Sequence, residues 1–242
     1  MSEIRVTLER DGALATLRLD NPTKRNAITG AMWRQIPKLL DELADVRVVV
    51  LCGAGAQFCA GADLDELVGL QGNSQAAAEF RQEMQTALHA LAQFPAPTIA
   101  QISGNCYGAG VALAMACDLR FAEADARICI PPAKLGLAYP KEDVARLVAL
   151  VGPGQAKHLL FSASELNPKQ AARIGLINAV QHRDKTLALV DEIIGNSAHS
   201  IVVLKSMIDG RLDNPDQAFD DCFGQKDFAV ITHAFAHKSR AE

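Results

Sequence analysis

Two rhythms of apolar residues run along this chain, and their order predicts the fold class. Residues 4–9 and 13–19 alternate apolar and polar around Asp11-Gly12, the pattern of two half-buried strands joined by a tight turn. Asn21-Pro22 ends that hairpin. Thr29 then caps a helix whose apolar positions, Met32, Trp33, Ile36, Leu39, Leu40 and Leu43, recur on one face. Pro37 lies inside it and predicts a kink or an early stop, because proline has no N–H to donate to the preceding turn. Residues 47–52 form a continuous β-branched run, expected of a strand covered on both faces.

After a small-residue loop at 53–56, residues 76–94 carry a long helical pattern and 97–102 a second buried strand. Short strands are expected at 119–122 and 127–130, and helices at 141–151 and 155–161, parted by Gly152-Pro153-Gly154. Beyond Pro168 the pattern is mainly helical, with one short strand near 177–180 and helical periodicity over 187–194, 201–208 and 218–235. Strand-and-helix units to about residue 185, then a helical C-terminal part, make an α/β protein.

The segment 104–118 stands apart from both rhythms. Tyr107-Gly108-Ala109-Gly110 runs without a break into a small apolar helix at 111–117. A turn almost bare of side chains lets a ligand touch backbone, and a helix N-terminus offers unpaired N–H groups at the positive end of its dipole. The pair suits a phosphate or an oxyanion. Tight packing of a buried helix explains the same residues, and the segment alone does not choose between the two.

Composition narrows the classes. The 242 residues suit one large domain or one domain with a helical appendage, and 49% hydrophobic with 21% charged residues is ordinary for a globular core. A net charge of −4 gives no basic footprint for nucleic acid. No apolar run approaches a membrane span, and the charged N-terminus does not read as a signal peptide, so a cytoplasmic protein with no membrane partner is expected. Six cysteines without C-x-x-C spacing read as buried thiols, and six scattered histidines suggest no metal site.

Taken together, three motifs in order resemble the crotonase (enoyl-CoA hydratase/isomerase) superfamily over nearly the whole chain. They are the run from Asn21-Pro22 through Lys24-Arg25 to Asn26-Ala27, the segment 58–64 ending Ala60-Gly61-Ala62-Asp63-Leu64, and 104–118 with its trailing 119–122. Gly175-Leu176-Ile177-Asn178 matches a later element. The resemblance implies a ββα spiral core over 1–185 and a helical oligomerisation or lid region over 186–242, assembled as a homotrimer or a dimer of trimers. It also implies an acyl-CoA thioester as substrate, so that coenzyme A enters as part of the substrate and no separate cofactor is needed. Carried over by motif, the thioester oxygen would lie between the backbone N–H groups of Ala62 and Ala109. Residues Ala60, Asp63 and Leu64 would then bend around the adenine and pantetheine of CoA. Lys24 and Arg25 would contact its phosphates, with a solvated turn as the alternative for both cations. The few residues after Arg240 imply a trimmed CoA or subunit contact.

The chain departs from the hydratase pattern at two positions. The glutamates that activate water in the family align with Ala112 and Pro132, and neither residue transfers a proton. Tyr139, three residues past Gly136, resembles a tyrosine in the methylmalonyl-CoA decarboxylase branch and is the candidate to orient a substrate carboxylate or protonate an enolate, with a half-buried aromatic whose hydroxyl lies at the surface as the alternative. That branch has histidine at the position of Ala62 and keeps the glutamate at Ala112. The expected activity is a decarboxylase-like acyl-CoA lyase or isomerase, with a hydratase using another acid/base residue or an acyl-CoA-binding pseudoenzyme as alternatives. Lys134, Lys141, Glu142 and Asp143 are the remaining ionisable candidates, while Cys106 reads as packing.

Overall fold

A computed structural model describes residues 4–238, with side chains described to residue 234. The hairpin forms as the alternation predicts. Strands β1 (Arg5–Asp11) and β2 (Leu14–Asp20) pair antiparallel with Asp11 opposite Leu14, and Gly12 takes the positive φ of 56° that the two-residue turn needs. Every residue of β3 (Val48–Gly53) and β4 (Thr98–Ile102) is buried, as the unbroken apolar runs require. With β6 (Leu119–Ala122) and β8 (Ala179–Val180) they complete a six-stranded sheet of order β1-β2-β3-β4-β6-β8, parallel from β2 onward.

A second, small sheet was not foreseen. Strands β5 (Asn105–Tyr107) and β7 (Arg127–Cys129) pair in parallel, so the two short strands expected on either side of residue 124 belong to different sheets. Single bridges Ile28–Ala62, Cys59–Cys106 and Ile128–Leu166 extend this layer on both sides. The repeat is therefore a large-sheet strand, a small-sheet strand and a helix, the ββα spiral. Helix α4 (Ala109–Ala116) closes one such turn with all eight residues buried, which only a run of small and aliphatic side chains permits.

Helices pack the spiral. Helix α1 (Gly30–Asp41) starts at Thr29, whose hydroxyl accepts from Met32 N–H at 3.3 Å, and it buries Met32, Trp33, Ile36 and Leu40. It runs through Pro37 instead of stopping there. Burying each such side chain is worth about 1.5–3 kcal/mol, which offsets the ~3 kcal/mol cost of an internal proline. A short helix, α2 (Leu64–Gly69), precedes α3 (Ser74–Gln93), which packs Met84, Ala87, Leu88 and Leu91 inward. Helix α5 (Lys141–Ser162) is two helical segments meeting at Gly152 (φ 74°, ψ 162°), where the Gly-Pro-Gly run predicts the break.

After α6 (Pro168–Arg173), α7 (Arg183–Gly195) and α8 (Ala198–Ile208), the expected single helix over 218–235 is two: α9 (Pro215–Cys222) and α10 (Lys226–Lys238). The N–H groups of Phe223, Gly224 and Gln225 each bond three residues back, winding the end of α9 tight before the chain turns. The trimmed CoA or subunit contact expected after Arg240 lies outside the described residues. Among those described, no single helix is long and apolar enough to cross a membrane.

Candidate active site

Two backbone segments meet beside α4. Residues 58–62 run parallel to β5: Cys59 N–H donates to Asn105 C=O at 2.9 Å, and Tyr107 N–H donates to Cys59 C=O at 2.9 Å. Three residues beyond the Cys59–Cys106 pair lie Ala62 on one segment and Ala109 on the other. Neighbouring N–H groups are satisfied, Ala60 by Arg25 C=O at 3.0 Å and Asp63 by Ile28 C=O at 3.0 Å. The N–H groups of Ala62 and Ala109 have no acceptor among the described residues. Ala109 is the first residue of α4, so its N–H also lies at the positive end of the helix dipole.

Glycines allow the approach. A Cβ on Gly110 would stand 2.8 Å from both the Cβ and the carbonyl oxygen of Cys59, and one on Gly61 would stand 3.3 Å from the Tyr107 oxygen. Gly108 holds φ 48°, ψ −109° at the entry to α4. Cys59 and Cys106 are fully buried between the segments; burial pushes the Cys59 thiol up to about 12 and raises Cys106 well above its ordinary value. Both are packing residues, as the sequence suggests.

The turn 21–27 is a clamp on the first segment. Asn26, at φ 58°, donates from its side chain to Ala54 C=O (2.9 Å) and Gln57 C=O (2.6 Å), and accepts from Asn21 N–H (3.0 Å). Asn21 donates in turn to Ala27 C=O at 2.8 Å. Lys24, expected at a CoA phosphate, instead bonds both oxygens of Asp63 (2.8 and 2.7 Å) and Asp65 (2.6 Å). Those two carboxylates raise the Lys24 ammonium. Burial, the largest single influence, opposes ionisation of Asp63, but the hydrogen bond and charge of Lys24 together with the N–H groups of Asp65 and Glu66 outweigh it and hold the carboxyl below its ordinary value. Asp63 also caps α2 through Asp65 N–H. One ammonium between two carboxylates leaves net negative charge at this edge. The Arg25 guanidinium is exposed and has no partner among the described residues. Ala60 is half-buried and Leu64 is 60% exposed, so this edge opens to solvent.

Tyr139 reaches the same turn from the other side. It is half-buried between a short 3-10 turn (Pro132–Leu135) and α5, and its Oη donates to Gly108 C=O at 2.9 Å. Burial raises its phenol well above the ordinary value, with Asp143 acting in the same sense, so the hydroxyl stays a donor. Asp143 is fully buried and accepts from Gln85 (3.1 Å) and Arg146 (3.0 Å); burial raises its carboxyl against those two partners. Lys134, Lys141 and Glu142 face solvent. Ala112 is fully buried, and Pro132 is partly exposed at the start of its turn. Tyr107 points away, donating to Glu165 at 2.5 Å, which Arg127 also binds at 2.7 Å.

The sequence reading missed Gln85 and Arg146. The i, i+3 spacing of Asp143 and Arg146 was visible, but Gln85 arrives only through packing of α3. Among the described residues, no group of three His, Cys, Asp or Glu side chains gathers as a metal site needs. A cavity of about 650 Å³ lies at the far end of α4, lined by Met115, Leu150, Ile193, Ile201, Leu204 and Lys205 among others.

Known proteins share this architecture. The model of a family described as enoyl-CoA hydratase/isomerase matches residues 9–239. The chain is 31% identical to a crotonyl-CoA hydratase of Syntrophomonas wolfei, with 98% of this chain and 96% of that protein covered. It is 29% identical to a short-chain-enoyl-CoA hydratase of Clostridium acetobutylicum, again over 98% and 96%. A solved enoyl-CoA hydratase from Bacillus anthracis superposes with a TM-score of 0.89 at 26% identity, covering 96% of each chain.

Proposed function

The chain belongs to the enoyl-CoA hydratase/isomerase family, and from that premise we propose that it stabilises a thioester enolate between the N–H groups of Ala62 and Ala109. The observation that carries this is the pair of unpartnered backbone donors on two segments locked together at Cys59–Cys106. Donors fixed before substrate arrives need no reorganisation as charge develops, and losing one such donor typically costs about 10²–10³ in rate. In this reading Arg25, rather than Lys24, meets the CoA phosphates along the edge formed by Ala60 and Leu64.

The reaction that suits these residues is decarboxylation of a malonyl-type CoA ester. The bond from the α-carbon to the carboxylate breaks, its electron pair moves into the thioester carbonyl, and CO₂ leaves. The resulting enolate oxygen lies between the two N–H groups, and water protonates the α-carbon. No base is required, which matches alanine and proline at positions 112 and 132. A second reading, binding of acyl-CoA without turnover, is favoured by Tyr139, whose hydroxyl proton already serves Gly108. The exposed apolar residues of α8 to α10, such as Leu204, Ile208, Phe219 and Phe223, would cover the site or build a trimer.

Purified protein with malonyl-, methylmalonyl- and crotonyl-CoA separates these readings. CO₂ release from a malonyl-type ester is the expected result. Micromolar binding with no turnover supports the second reading. Hydration of crotonyl-CoA at ordinary enzyme rates overturns the assignment at Ala112 and Pro132.

A further inference from the structure

We propose that Tyr139 is a positioning residue of the oxyanion hole, acting through the Gly108–Ala109 peptide and not on substrate. The proposal rests on the reading of Ala109 N–H as an oxyanion donor. The carbonyl of Gly108 and the N–H of Ala109 belong to one planar unit and point in opposite directions. Fixing the oxygen therefore aims the hydrogen.

That aim is secured only in part by the local chain. Gly108 sits at φ 48°, ψ −109°, a conformation open to glycine, which also tolerates many others. Rotation of the one peptide between Gly108 and Ala109 would turn the carbonyl into the hole and the N–H out of it. Two groups hold the Gly108 oxygen where it is. One is Ala112 N–H at 3.1 Å, the first-turn bond of α4. The other is Tyr139 Oη at 2.9 Å, the sole side chain among the described residues to bond this oxygen. Tyr139 is itself anchored: its ring packs on the core, and Pro140 follows it directly at the start of α5.

The bond also changes the strength of the donor. A hydroxyl donating to an amide oxygen draws charge from the amide and makes its N–H a stronger donor, an effect of about 10–30% per bond in a hydrogen-bonded chain. Hydroxyl, peptide and oxyanion would form such a chain. The rate expected from this link is about two- to tenfold, the worth of one neutral hydrogen bond.

The test reads the hole directly. Butyryl-CoA labelled with ¹³C at the thioester carbonyl is bound to the protein, and the carbonyl stretch is recorded by infrared difference spectroscopy. Wild type is expected to shift the stretch to lower wavenumber. Tyr139→Phe is expected to shrink that shift while leaving the dissociation constant within about threefold, since one neutral hydrogen bond remote from the ligand is all that changes. A ring-fluorinated tyrosine in place of Tyr139, a better donor of nearly the same shape, is expected to enlarge the shift and serves equally if the phenylalanine variant fails to fold. A downshift unchanged in either variant overturns the role of Tyr139 alone. Loss of binding in Tyr139→Phe also overturns it, by showing a substrate contact. A wild-type complex with no downshift overturns the oxyanion-hole reading, and this proposal with it.

Discussion

Gly110→Ala is expected to disarm the site while leaving the fold standing. Gly110 is the second residue of α4, where alanine would ordinarily stabilise a helix by about 1 kcal/mol. Here the new methyl would stand 2.8 Å from the Cys59 Cβ, 2.8 Å from its carbonyl oxygen and 3.3 Å from its sulfur. Non-bonded carbon atoms rest about 3.5–4.0 Å apart, so α4 or the 58–62 segment must give by roughly 1 Å. The Cys59 carbonyl cannot retreat alone, because it accepts Tyr107 N–H at 2.9 Å. Overpacking of this kind costs about 1–3 kcal/mol, which leaves a net loss of about 0–2 kcal/mol after the helix gain. At roughly 2–4 °C per kcal/mol for a chain of this size, the melting temperature falls by no more than about 8 °C. Activity falls much further, by about 10²–10³, because the strain parts the two donors. Gly154→Ala is the control: nothing lies within 4 Å of its Cβ position in α5, so neither activity nor melting temperature should drop. Circular dichroism melts and CO₂ release from the preferred ester are the assays, with the bound thioester stretch serving where turnover is absent. A Gly110→Ala protein with the wild-type shift and turnover refutes the claim that this contact sets the hole.

Asp63→Ala removes the cap of α2 and one partner of Lys24, and should cost about 1 kcal/mol. Because the folded Asp63 carboxyl lies below its ordinary value, its contribution is complete above about pH 4 and disappears as pH falls through the lowered folded value. The difference in melting temperature between wild type and Asp63→Ala should therefore shrink in acid; a gap constant from pH 7 to pH 2 contradicts the ion-pair assignment. Lys205→Met should cost about 3 kcal/mol, the low end for breaking a buried pair, since Lys205 binds Asp118 at 2.6 Å and Ala96 C=O at 3.0 Å while Asp118 keeps Thr98. Faster amide exchange confined to α8 would accompany it, and an unchanged melting temperature would count against that anchor. Arg25→Ala should weaken CoA-ester binding about two- to fivefold at low salt, as for an exposed ion pair, with the effect fading as salt rises. A larger loss from Lys24→Ala, measured by calorimetry beside it, would reverse the assignment of the two cations.

What was legible in the chain was whatever its neighbours in sequence decide. The hairpin at Gly12, the buried strands β3 and β4 and the break at Gly152 each follow from a local period or a residue with special backbone freedom. The small sheet was hidden because β5, three residues long, is too short for alternation to register, so β7, though expected as a strand, had no visible partner; the two pair only because the spiral stacks them. Helices α9 and α10 were merged because periodicity continues through the turn; Phe223 stacks edge-on against Phe219 and Phe228, at 5.4 and 5.1 Å, across the break.

The same division runs through the site. Ala62 and Ala109 could be proposed from sequence because a backbone donor is specified by its place in a motif, and any residue but proline supplies it. Lys24 and Tyr139 were assigned to ligand because a cation or hydroxyl in sequence carries no sign of what it faces. Their partners, Asp63 from 39 residues away and the Gly108 carbonyl from 31 away, come from folding alone. In both cases a polar group expected at substrate bonds the protein's own backbone or loop in this structure. Under the proposed function, the polar side chains named around Ala62 and Ala109 would serve chiefly to fix the backbone, the arrangement expected where two peptide N–H groups carry the chemistry.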